Sequence, residues 1–152
     1  MRRVLASLAL ALFARAAPGQ GLPATEVDLG TVATWARRDF YGLSLGVSRR
    51  PSGQGRAALN IAGGALGKDA ALRIELTGQF LVLPEAKSGI SPYAGLGIAY
   101  LGARHARGTG ILVALLGVEA PEGRRRGWFA ELGLGGGVRL RAGYRWRQLP
   151  PF

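Results

Sequence analysis

The chain has 152 residues, a formal charge of +11, 48% hydrophobic residues, 25 glycines and no cysteine. That length suits one domain, and the lack of cysteine excludes a disulfide framework and a thiolate metal site. Abundant glycine beside abundant apolar residues disfavours a helical build, because glycine costs about 1 kcal/mol in a helix interior relative to alanine.

The first element is the N-terminal "MRRVLASLALALFARAAPGQG", with Arg2 and Arg3, an apolar run from Val4 to Phe13 and a small-x-small site at Ala14-Arg15-Ala16. This is the layout of a secretory signal peptide over 1–16, leaving 17–152 as one mature domain. An organelle transit peptide is the competing reading, but the uninterrupted apolar centre is not amphipathic. Cleavage removes Arg2, Arg3 and Arg15 and lowers the charge from +11 to about +8. A basic chain invites a nucleic-acid hypothesis, and export argues against it. A spanning helix needs about 20 apolar residues, and no such run follows the leader.

The remaining segments alternate with a period of two, the signature of strands with one apolar and one polar face. In chain order they fall at about 26–36, 40–48, 57–65, 71–82, 92–102, 111–120, 127–135 and 137–147. The first sets Val27, Leu29, Ala33 and Trp35 against Glu26, Asp28, Gly30 and Thr34. The fourth sets Leu72, Ile74, Leu76 and Phe80 against Arg73, Glu75, Thr77 and Gln79. "ILVALLGVEA" at 111–120 is apolar on both parities and leaves its facing open. The last, "GVRLRAGYRWR", places Arg139, Arg141, Arg145 and Arg147 opposite Val138, Leu140, Ala142, Tyr144 and Trp146. Eight segments of this length match tilted transmembrane strands of about 9–11 residues. Between them lie "RPSGQG", "LGKD", "LPEAKSGIS", "ARHARGTG" and "PEGRRR", rich in Gly, Pro and charge as connections are.

The polar parity reads as one environment. It holds Asp28, Arg73, Glu75, Glu119, Glu131, Arg139, Arg141 and Arg145 beside glycines and small polar side chains, and the chain has only two lysines, Lys68 and Lys87. Arginine's planar fork suits buried pairing with carboxylates better than lysine's point charge. A lumen charge network of Asp28, Arg73, Glu75, Glu131, Arg139, Arg141 and Arg145 is therefore expected, with the apolar parity facing lipid. Aromatics near the segment ends, namely Trp35, Tyr41, Tyr93, Tyr100, Trp128, Tyr144 and Trp146, are expected to form interfacial girdles.

On "PYAGLGIAY", "GWFAELGLGGGVRLRAGYRW", the exported N-terminus and the terminal Phe152, the chain resembles a small bacterial outer-membrane β-barrel of the eight-stranded OmpA/OmpX-type architecture. The resemblance covers about 26–147. It implies an all-β fold, an eight-stranded antiparallel up-and-down transmembrane barrel, in the outer membrane of a Gram-negative cell envelope. It implies outer-membrane lipid and the barrel-assembly machinery as partners of a monomer. Two departures stand beside it: "QLPPF" separates the last segment from Phe152, and the outward connections near 37–39, 66–70, 103–110 and 135–137 are no longer than the inward ones.

Chemistry-bearing motifs are sparse. His105 in "ARHARG" is the only histidine. A few barrels of this size are lipid-modifying hydrolases or acyltransferases, which would need a serine and a carboxylate placed beside it. Ser44, Ser48, Ser52, Ser88 and Ser91 carry no nucleophile motif. One histidine without cysteine makes a poor metal set, and "GLGGGV" lacks the Lys-Ser/Thr of a phosphate loop. The "GRRRG" cluster at 123–127 suits lipid phosphates at an interface. The expectation is a non-enzymatic barrel without cofactor or metal, in a structural, adhesive or envelope-integrity role. The alternatives are the lipid-modifying enzyme and a soluble exported lipocalin-like barrel with its apolar parity inside.

Overall fold

Seven segments alternate and one, 111–120, is apolar on both parities, yet each becomes a strand: β1 (Ala24–Trp35), β2 (Phe40–Arg50), β3 (Gly55–Leu66), β4 (Asp69–Leu81), β5 (Ser91–Ala103), β6 (Ala106–Glu119), β7 (Arg126–Leu134) and β8 (Val138–Gln148). The computed structural model describes residues 23–51, 53–84, 88–121 and 123–148. The expected signal peptide at 1–16, and Ser52, Lys87 and Phe152, lie outside the described residues. The strands pair in sequence order, all antiparallel, and β8 closes on β1 to make a barrel.

The turns follow from local chemistry. Gly67, at φ 64°, is the first central residue of the two-residue β3–β4 turn, the place where a type II′ hairpin takes glycine. Gly136 and Gly137, at φ 75° and 150°, turn β7 into β8. The one large boundary difference is β6, which begins at Ala106 instead of about 111. "ARGTG" has the composition of a loop, yet β5 supplies the ladder that makes it a strand, with a register shift between Leu101 and Ala103.

The register fixes the geometry of closure. Paired residues lead once round the wall from Ala103 through Ala71, Gly64, Gly42, Val32, Arg141, Glu131 and Gly117, returning to β5 at Tyr93, ten residues from the start. With eight strands, a stagger of ten residues tilts the strands by about 40°. That stagger is unevenly spread. β6 meets β7 only from Ala114–Leu134 to Glu119–Phe129, so β6 above Ala114 has no partner on β7.

Ala24 and Gln148 mark one end of the barrel, the terminal end; the hairpins β1–β2, β3–β4, β5–β6 and β7–β8 mark the opposite end. Large apolar side chains point outward, Leu112 at 82% and Leu96 at 71% exposure among them. Trp35 and Tyr41 meet edge to face at the opposite end, and Tyr144 and Trp146 do so toward the terminal end. Tyr93 is a correction to the girdle expectation. It points inward and is buried, because Gly117 across the β5–β6 ladder leaves the space its ring occupies.

Candidate functional site

Strand geometry sends every second side chain into the lumen, and the inward set is unusually charged. Asp28, Arg73, Glu75, Glu131, Arg139, Arg141 and Arg145 all lie on the inward face and are buried. Glu26, Arg50, Arg56, Glu119 and Arg147 join them, giving seven arginines and five carboxylates buried among the described residues. Glu119 has the polar parity of a strand whose sequence leaves its facing open, and the structure turns it inward. Glu26 shares the parity of Asp28, and Arg147 that of Arg145, so both were legible. Arg50 and Arg56 appear once β2 and β3 are each extended by two residues toward their shared hairpin.

A charge removed from water is tolerated when pairs and hydrogen bonds replace its hydration. Here the pairs form a continuous chain from end to end. At the terminal end Arg56 Nη1 donates to Glu26 at 3.0 Å and to Glu119 at 2.8 Å, while its Nε donates to Gln79 at 2.7 Å. Arg147 spans Glu26 at 3.2 Å and Glu119 at 3.0 Å, and also donates to the carbonyl oxygens of Ala120, Pro121 and Arg124. Ser48 donates to Glu26 at 3.0 Å.

Arg145 carries the chain inward by pairing with both Glu119 and Asp28. Arg141 pairs with Asp28 and approaches Glu131 at 3.5 Å, and its Nε donates to Ser44 at 3.1 Å. The Phe129 ring lies under both guanidinium groups, at 4.7 and 4.8 Å, and the Tyr93 ring under Arg56 at 4.7 Å. Such cation–π contacts give the guanidinium faces a partner where carboxylates reach only their edges. The Tyr93 hydroxyl donates to Glu131 at 2.9 Å. Toward the opposite end Arg139 bridges Glu131 at 3.0 Å and Glu75 at 2.9 Å, and Arg73 pairs with Glu75 at 3.1 Å and donates to the Gly135 carbonyl at 3.3 Å.

Two apolar clusters share the interior. Val32, Phe40, Ala62 and Leu66 pack beneath the hairpins of the opposite end, and Leu81, Tyr93, Ala99, Val113 and Leu115 line one wall. The second cluster answers the question left open at 111–120: Val113 and Leu115 face inward while Leu112 and Leu116 face outward.

His105 sits outside this system in the β5–β6 turn, exposed, 3.2 Å from Asp69. Arg38 holds the same carboxylate at 2.7 Å. The Arg38 hydrogen bond first, and the His105 contact second, lower the Asp69 pKa below its ordinary range. The Ser44 and Ser48 hydroxyls are engaged in the lumen, away from His105. Among the described residues no group of three or more His, Cys, Asp or Glu could hold a metal ion. The outward facing of the apolar rows contradicts the lipocalin-like alternative, which needs them inside.

No protein-family model and no curated protein matches the chain. Solved structures do resemble it. The N-terminal β-barrel domain of Pseudomonas aeruginosa OprF superposes with a TM-score of 0.68 at 16% identity, covering 85% of this chain and 100% of that one. The outer membrane protein OprG from Pseudomonas aeruginosa gives 0.67 at 11% identity, covering 88% and 99%. Neisserial surface protein A gives 0.55 at 14% identity, covering 82% and 96%. Closed by eight antiparallel strands round a charged lumen, with an apolar outer wall, the chain has the fold of the small outer-membrane β-barrels.

Proposed function

We propose that the protein is a monomeric, non-conducting barrel of the outer membrane that serves the integrity of the envelope as a structural element. The observation that carries this reading is the continuous chain of buried ion pairs from Arg73 to Glu26, with an apolar cluster above it. An eight-stranded interior is about wide enough for side chains to fill it, and here long arginines from β3, β4 and β8 do so. The terminal end faces the periplasm in this reading. The connections at the opposite end are short, Gly67 and Lys68 between β3 and β4 and Arg104 and His105 between β5 and β6. Short connections offer little surface to a large external ligand, which favours a structural role over an adhesive one. Lipid is the principal partner, with the barrel-assembly machinery acting during biogenesis.

Reconstitution in a planar bilayer tests the reading. The expected result is the absence of stable, stepwise conductance; reproducible large steps at low protein concentration overturn it. Membrane fractionation tests the location separately, since release without detergent is incompatible with an outward belt of leucines.

A further inference from the structure

The outer wall is ridged unevenly. Ala57, Gly78, Leu96 and Ala114 are successive cross-strand partners from β3 to β6, and Phe80, Ala94 and Leu116 form the adjacent row. Where alanine and glycine stand between leucine and phenylalanine the surface drops toward the backbone, leaving an apolar groove of about 1030 Å³. It extends from Pro51 and Ala57 to Leu134 and Val138, across six strands. Five interstrand spacings of about 4.8 Å make it roughly 24 Å long. Because it crosses strands that are themselves tilted by about 40°, an occupant following the groove lies oblique to the membrane normal.

Arg49 flanks the terminal end of this groove, beside its ladder partner Ala57 and two residues before Pro51, both of which line it. It is exposed on β2, paired across the ladder with Ala57, and is the only charged outward side chain of β2 and β3 among the described residues. A cation at the rim of an apolar furrow is complementary to an amphiphile with an anionic head and a methylene tail.

We propose that the groove holds one acyl chain of a glycerophospholipid whose phosphate sits on Arg49. The inference rests on the membrane-embedded reading above and adds a defined lipid site to it. A flexible methylene chain fits a narrow floor of Ala57, Gly78, Ala94 and Ala114 between Phe80 and Leu116. Among the described residues no carboxylate stands at the terminal end of the outer wall, so a second barrel would bring another apolar wall and no described anion for Arg49.

The full barrel, refolded in detergent, is mixed with phosphatidylglycerol or with diacylglycerol of the same chains, and retained lipid is counted by native mass spectrometry. One phosphatidylglycerol per barrel is expected, saturably. Arg49→Gln should weaken its retention about fivefold, the effect of one basic residue at a membrane surface, and leave diacylglycerol unchanged. Ala94→Phe should reduce both. Heat-modifiable electrophoretic migration verifies that each variant is folded. Retention that rises without saturation, indifference to Arg49→Gln, or barrel dimers in place of bound lipid overturn the proposal. Insertion into vesicles is scored in parallel: a barrel that inserts and retains no lipid overturns the lipid site alone, and one that fails to insert overturns the membrane reading with it.

Discussion

Glu119 receives guanidinium groups from Arg56, Arg145 and Arg147, all buried. Glu119→Gln would leave three cations short of an anion, and breaking a buried pair costs about 3–5 kcal/mol. Urea unfolding in lipid vesicles should show a loss of that size, whereas Asp69→Asn at the exposed Arg38 contact should be close to neutral. The pH response of Asp69 follows from its lowered pKa. A carboxylate depressed by its partners stabilises the fold above its unfolded pKa, and that contribution is lost as pH falls through the lower folded value. An NMR titration should therefore give Asp69 a midpoint below the ordinary aspartate range, moving upward in Arg38→Gln. On the wall, Leu96→Arg should cost about 2–4 kcal/mol near the bilayer centre. Gly97→Ser, on the lumen side and so seemingly mild, should also lower the folding yield. A Cβ there would run into the Leu76 carbonyl oxygen and come 2.7 Å from the Thr77 Cα. Facing is written in the alternation of Leu96 and Gly97; the closeness of the neighbouring backbone is set by cross-strand register and cannot be read from one strand.

Among the elements, β6 is the one whose sequence is least informative and whose placement matters most. Its apolar residues on both parities reflect an interior wall of Val113 and Leu115 that needs apolar side chains on the lumen side too. A period-two pattern cannot resolve a strand buried on one face and lipid-exposed on the other, because both faces select the same residue types. The other strands were legible because their inward faces carry charge or glycine. Ladder pairs between β6 and β7 stop at Ala114–Leu134, leaving Thr109–Val113 paired on the β5 side only. Hydrogen exchange should find the seam-facing amides of 109–113 faster than those of Leu115–Glu119, which exchange with the rest of the wall. Equal protection along all of β6 would mean that the seam closes in the membrane.

For the molecule as a whole, the contacts that hold the lumen are long in sequence: Arg141 reaches Asp28 across 113 positions and Arg147 reaches Glu26 across 121. Eight strands, and the facing of all but β6, were legible from alternation and segment length, since each is a local pattern repeated, whereas closure was implied by the resemblance. The individual ion pairs were not, because they depend on the ten-residue stagger that decides which inward side chains share a level. β8 alone supplies Arg139, Arg141, Arg145 and Arg147, and with them at least one partner for each of Glu26, Asp28, Glu75, Glu119 and Glu131. A chain that stops short of this strand holds five inward carboxylates with a diminished set of counter-ions and an open edge as well, both costly in hydrocarbon. The final strand thus acts as a checksum on the polypeptide: without it Asp28 and Glu131 keep no guanidinium partner in the lumen, so the pairing that stabilises the finished barrel counts against an unfinished one.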